Sequence, residues 1–237
     1  MTPHWHDGPL AALDWDGAAP VVWRAAAQDA AVRRDLMQAL VARLARRRVE
    51  EVRLARTVAG APRVACPGGW YVGLSHRGVH CLIGAATRPI GVDRELVDDA
   101  PPLWDMLSER EGRALRRLDP LVRPRAWLRR WTIKEAHAKL VGEPRRIAPE
   151  AIETEVIDPV HATAHHEGVS RCWTRDDAGA IETVVLPVRA AAGSAVRPAA
   201  VSAPAVRPAA WTASVAAGVT TRPMATRAAA ASPTGSK

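Results

Sequence analysis

The sequence has no phenylalanine, a single tyrosine, only three lysines beside 30 arginines, and no acidic residue between positions 190 and 237. No uninterrupted apolar run approaches the roughly 18 residues of a membrane span, so a spanning protein is excluded. The three cysteines, Cys66, Cys81 and Cys172, are odd in number and show no C-x-x-C spacing, which argues against a disulfide framework or a zinc knuckle and for a reducing compartment. Met1-Thr2-Pro3-His4-Trp5-His6-Asp7 offers neither a basic start nor a continuous apolar stretch, so no secretory signal is expected and the protein is placed in the cytoplasm.

The missing acids explain the net charge of +8, which would otherwise suggest a nucleic-acid partner. Arg197, Arg207, Arg222, Arg227 and Lys237 give the last stretch +5, and residues 1–189 carry 28 basic against 25 acidic side chains, a balance of +3. Basic patches survive in the body at Arg43, Arg46, Arg47 and Arg48 and from Arg113 to Arg130. They leave open a second reading as a nucleic-acid-binding protein, against which no helix-turn-helix, zinc or RNP motif is present. From 190 to 237 the chain is mostly Ala, Val, Ser, Thr, Pro and Arg, with Ala195-Val196-Arg197-Pro198-Ala199-Ala200 repeated as Ala205-Val206-Arg207-Pro208-Ala209-Ala210. Such a composition cannot build a packed core and is expected to be disordered.

The remaining length, with 48% apolar and 24% charged residues overall, is enough for a sizeable core. Ala31, Leu36, Leu40, Val41 and Leu44 recur at helical spacing between Gln28 and Arg48. A short β-prone run at Trp70 to Leu74 is followed by Val79 to Ala86 and Ile90 to Glu95, which Thr87-Arg88-Pro89 is expected to join as an antiparallel hairpin. Helices are expected over Asp105 to Leu118 and Arg125 to Val141, the latter stopped by Gly142 and Pro144, and strands at Ile152 to Val156 and Glu182 to Leu186.

Three constellations could carry chemistry. In Gly91-Val92-Asp93-Arg94-Glu95, a strand would put Asp93 and Glu95 on one face, with Cα atoms about 6.5–7 Å apart. Paired carboxylates suit a hard cation such as Mg2+, although D-x-E alone fits a solvated strand face better. In Trp131-Thr132-Ile133-Lys134-Glu135-Ala136-His137-Ala138-Lys139, Glu135 and Lys139 are helical neighbours, which by itself could be a surface ion pair. Two of the three lysines fall here, in a chain that otherwise writes arginine, and lysine differs in being a compact, rotatable point charge suited to phosphate oxygens. Ser75-His76-Arg77-Gly78 could hold a phosphate or simply end a strand. His161, His165 and His166 show no ligand pattern and read as loop or surface residues.

Together these segments resemble the signature of the 4′-phosphopantetheinyl transferase superfamily, G-[IV]-D-x-E followed by [WF]-[SCT]-x-K-E-[AS]-x-x-K. Every fixed position is met, and Asp93 and Lys134 stand 41 residues apart. A looser likeness runs from about Asp29 to Val188, with Gly60-Ala61-Pro62 at a common G-K-P and Ser108-Glu109-Arg110-Glu111 at a common S-x-x-E. The chain length is similar to the larger, surfactin-synthetase-activating branch. That likeness implies a monomer of the α/β (α+β) class, its two similar halves, 1–95 and 96–189, related by a pseudo-twofold axis.

The resemblance implies transfer of the 4′-phosphopantetheine arm from coenzyme A to a serine of an acidic acyl or peptidyl carrier protein, with Mg2+ and release of 3′,5′-ADP. It implies Asp93, Glu95 and Glu135 as metal ligands, Glu135 as the candidate base, and Lys139 and Lys134 on phosphate oxygens. Ser75, His76 and Arg33 or Arg34 would contact coenzyme A, and Glu111 would stand near the metal. Neither nucleic acid nor membrane is implied as a partner, and a coenzyme A binder without turnover is a further alternative. Two departures concern the cofactor: Gly73 stands where Asn is common in the family, and Ala61 where Lys is common, with Arg63 as a possible substitute.

Overall fold

The computed structural model describes residues 1–98, 100–142, 146–177 and 179–188. Strand β1 (His4–Asp7) runs parallel to β2 (Val21–Ala26), whose Val21, Val22 and Trp23 are all buried. Helix α1 (Ala30–Ala45) starts where the Asp29 carboxylate accepts from the Val32 N–H at 2.9 Å, satisfying one of the donors left free at a helix start. Met37, Leu40, Val41 and Leu44, spaced three and four apart, form its buried face. Strands β3 (Arg53–Arg56) and β4 (Pro62–Cys66) make a separate two-stranded sheet. Strands β5 (Tyr71–Arg77) and β6 (His80–Ala86) then complete a four-stranded sheet in the order β1-β2-β6-β5.

Strand β7 (Gly91–Leu96) departs from the hairpin expected in the sequence. The hairpin is β5–β6, turned at Gly78–Val79, whereas β7 leaves β6 and pairs antiparallel with β11 (Ala180–Pro187) in a second sheet. The physical reason lies in two glycines. A Cβ on Gly84 would stand 2.7 Å from Val92 Cγ1, and one on Gly73 would stand 3.2 Å from the Ile90 carbonyl oxygen. These bare backbones let β7 stack face-on against β5 and β6 rather than extend their sheet. The boundary expected after residue 95 therefore cuts through β7, which belongs whole to the second sheet.

Helix α2 (Glu109–Arg116) opens with a reciprocal cap between Ser108 and Glu111. Helix α3 (Arg123–Val141) ends at Gly142, whose φ of 84° fits the left-handed turn that closes many helices. Strands β8 (Glu153–Val156), β9 (His161–His165) and β10 (Val169–Asp176) precede β11 and give the five-stranded order β7-β11-β10-β9-β8. Among the described residues the class is thus mixed α/β, with few helices and several sheets, and no helix is long and apolar enough to cross a membrane. The segment 190–237, expected to be disordered, lies outside the described residues.

Three apolar layers hold the elements. Helix α1 packs on the first sheet through Trp23, Leu40, Val41, Leu44, Val72 and Ile83. The two sheets meet through Val22, Leu82, Val92, Trp173, Val184 and Leu186. Helix α3 covers the second sheet through Ile133, Ala136, Ile152, Cys172 and Val185. Each such fully buried aliphatic side chain contributes about 1.5–3 kcal/mol, so the sheet–sheet and helix–sheet layers set where β5, β7 and α3 meet. At the edge of the sheet–sheet layer, the Glu182 carboxylate accepts from Arg94 and, at 2.9 and 2.8 Å, from Arg24 of β2, so that ion pairs also tie the two sheets together.

Candidate active site between β5, β7 and α3

Strand periodicity places Asp93 and Glu95 on one face of β7, as expected, and Ser75 and Arg77 on the facing side of β5. They meet as two rungs. The Ser75 hydroxyl donates to Asp93 Oδ1 at 2.8 Å, and the Arg77 guanidinium donates through two nitrogens to the two oxygens of Glu95. Helix α3 closes the first rung, because Lys139 Nζ lies 2.6 Å from Asp93 Oδ1 and 3.2 Å from Ser75 Oγ. The Ser75 oxygen also accepts the Arg94 N–H at 3.2 Å, so the hydroxyl is a junction of three elements.

Close approach of α3 makes this possible, and Gly91 permits it. A methyl group on Gly91 would stand 2.1 Å from the Ala136 carbonyl oxygen and 3.0 Å from the Leu140 nitrogen. The glycine is thereby coupled to Glu135, beside Ala136, and to Lys139, beside Leu140: both come close to β7 because the strand backbone is bare where the helix crosses it.

The electrostatics follow from three carboxylates sharing a half-buried space. Burial, with the Asp93 and Glu95 charges beyond it, pushes the Glu135 carboxyl up to about 7 against the opposing pull of Lys139 and Arg77. Burial also raises Glu95, and Asp93 adds to that, while hydrogen bonds from Arg77 and the Trp131 side chain pull the other way. Asp93 is 2% exposed, and its Oδ2 is buried without a hydrogen-bond partner among the described residues. An uncompensated buried carboxylate oxygen is costly, so it calls for a positive partner. On the outer side, burial lowers His76, and the charges of Arg33, Arg77 and Lys139 lower it further, which puts four cationic or potentially cationic groups around one rim.

The structure therefore brings Ser75, His76, Asp93, Glu95, Glu135, Lys139 and Arg33 to one place. Lys134 is elsewhere. It is 1% exposed and faces the opposite side of α3, where its ammonium pairs with Glu111 Oε2 at 2.7 Å and donates to the carbonyls of Pro149, at 2.9 Å, and Ile152. An ammonium has three donors, and all three are used, which leaves none for a phosphate. Burial pushes this ammonium below its usual range despite Glu111.

Glu111 in turn is 2% exposed and accepts from Ser108 N, Thr154 N and the Thr154 hydroxyl. The acid expected near the metal is a buried tie between α2, α3 and β8. Arg63 is exposed on β4, and among the described residues no contact joins it to the Asp93 group. Gly73, the departure from the common Asn, faces Ile90 and Val92 at distances that leave no room for a longer side chain. The ion-pair role of Arg77 was not singled out by the motif, although its position two residues after Ser75 on a strand signals the same face.

Among the described residues no three His, Cys, Asp or Glu side chains converge as a ready metal cage, because Glu95 is turned to Arg77 and Asp93 Oδ1 to Ser75 and Lys139. A surface cavity of about 450 Å3 between Arg47, Glu50, Arg53, Cys66 and Pro67 lies away from this group. Residues 89–188 match the family model of the 4'-phosphopantetheinyl transferase superfamily, a span that holds β7, α3 and both halves of the motif. That match supports the chain's membership of the superfamily. No curated protein matches the chain. The family supports a transferase, and Asp93 and Lys139, both inside the matched span, meet Ser75 of β5.

Proposed function

We propose that the chain transfers the 4′-phosphopantetheine group of coenzyme A to a serine hydroxyl of an acyl or peptidyl carrier protein, releasing 3′,5′-ADP. The observation that carries this reading is the junction of Ser75, Asp93 and Lys139, within the field of Glu95 and Glu135, built by the family motif itself. In the reaction the serine oxygen forms a bond to the β-phosphorus of the cofactor, and the phosphoanhydride bond to 3′,5′-ADP breaks. Lys139, 27% exposed at its side chain, is the cation placed to meet pyrophosphate oxygens. His76 and Arg33 stand on the same rim for the remaining phosphate. In this reading Glu135, its carboxyl raised to about 7 by burial and neighbouring charge, takes the serine proton.

The residues present fit Mg2+, because Asp93 Oδ2 is buried and unpartnered among the described residues and two neighbouring carboxyls are raised by burial and then by the Asp93 charge. Asp93, Glu95 and Glu135 would hold it. When bound it supplies positive charge to the pyrophosphate and the leaving group. The same reading assigns the chain to the larger, monomeric branch with two halves about a pseudo-twofold axis.

Intact-mass spectrometry on a panel of carrier proteins tests the proposal. With Mg2+ and coenzyme A the carrier gains the phosphopantetheine mass, and Asp93→Ala or Glu135→Ala abolishes the gain. A folded wild-type protein that modifies no carrier in the panel would overturn it.

A further inference from the structure

Arg77 has no assigned role, yet it is the group that holds Glu95. Its side chain is 48% exposed, while that of Glu95 is 10% exposed, and both carboxylate oxygens accept from the guanidinium. Each of these bonds takes one lone pair of a Glu95 oxygen and keeps a positive charge beside it, so a divalent cation that ligates Glu95 competes with the guanidinium for the same carboxylate. The neighbouring rung differs: Asp93 Oδ1 is engaged by Ser75 and Lys139, but Oδ2 is buried and unpartnered, so a cation can attach there without breaking anything. Once displaced, Arg77 enters a rim where His76 already feels the charges of Arg33 and Lys139. A half-exposed guanidinium with its fork free is a strong phosphate ligand.

We propose that Arg77 is a further anion-binding residue of this site, held by Glu95 and released to bind phosphate when a divalent cation takes Glu95. The inference rests on the proposed function for the nature of the anion. It makes cation and polyanion reciprocal: whatever the cation adds to polyanion affinity, the polyanion adds to cation affinity.

The test uses the full-length protein at pH 8, with calorimetric titration of Mn2+ alone and of adenosine 3′,5′-bisphosphate with and without Mn2+. In the wild type, Mn2+ tightens bisphosphate binding. Arg77→Gln removes the competitor and the ligand together, so Mn2+ binds about three- to tenfold more tightly while the Mn2+-dependent gain in bisphosphate affinity disappears. These opposite changes are not those of a merely structural residue. Arg77→Lys keeps the charge but not the fork and falls between the two for Mn2+.

If Arg77→Lys matches the wild type while Arg77→Gln binds Mn2+ more tightly, the effect is only that of a nearby charge, and the inference fails. Unchanged Mn2+ and bisphosphate affinities in both variants also overturn it, with the transfer reading left standing. A wild type that binds neither Mn2+ nor the bisphosphate overturns both.

Discussion

Gly91 lies so close to Ala136 that a single methyl group on its Cα would stand 2.1 Å from the Ala136 carbonyl oxygen. That distance is far inside any van der Waals contact, and the atom met is helix backbone, which cannot rotate away. Gly91→Ala must therefore push α3 off β7, at about 1–3 kcal/mol or more. Lys139 and Glu135 move with the helix. The expected outcome is a protein that still folds at low temperature, denatures at lower urea, and loses far more transfer activity than stability. An alanine variant with unchanged denaturation midpoint and activity would show that the close crossing is not needed.

Lys134 and Glu111 form a buried pair at 2.7 Å, with exposures of 1% and 2% at their side chains. Removing one partner of such a pair leaves an unmatched buried charge, which costs about 3–5 kcal/mol, whereas removing both charges costs much less. Lys134→Met is expected to be strongly destabilised in urea denaturation. Adding Glu111→Gln, whose single amide oxygen can still accept from Thr154 but leaves the Ser108 N–H facing the amide nitrogen, removes the unmatched charge and recovers part of the loss. A Lys134→Met protein of normal stability with a raised KM for coenzyme A would instead make Lys134 a phosphate ligand.

These two cases mark what could be read from residues in order. Alternation in Gly91 to Glu95 and helical spacing from Trp131 to Lys139 were enough to place Asp93 with Glu95 and Glu135 with Lys139. Capping residues were legible too: Gly142 ends α3 as its lack of a side chain suggests. Lys134 and Lys139 could not be separated in that way, since a motif says that a lysine is required without saying on which side of the helix its ammonium is spent. The pairing of β7 was illegible for a related reason. Thr87-Arg88-Pro89 is a turn in either topology, and what sends β7 to the second sheet is the contact of Gly73 and Gly84 with Ile90 and Val92, which is non-local. Glu182, inside a run of β-branched residues, did carry a signal: a charge at a core position demands a partner, and Arg94 and Arg24 supply it from two other strands.

The cysteines give a pH-dependent check of the fold away from the site. Cys172 is 1% exposed, and burial pushes its thiol up to about 12; Cys81 is also raised by burial, whereas Cys66 is only partly buried. For an acid whose folded pKa lies above its unfolded one, near 9 here, the folded state keeps its proton while the unfolded chain loses it. Stability is thus unaffected by Cys172 below pH 9 and falls as pH rises from about 9 towards 12. Only the thiolate is alkylated, so at pH 8 iodoacetamide should label Cys66 alone in the native protein. Labelling of Cys81 and Cys172, followed by peptide mass spectrometry, should appear together as urea unfolds the chain. Rapid native labelling of Cys172 at pH 8 would mean that β10 is not packed beneath α3 as described.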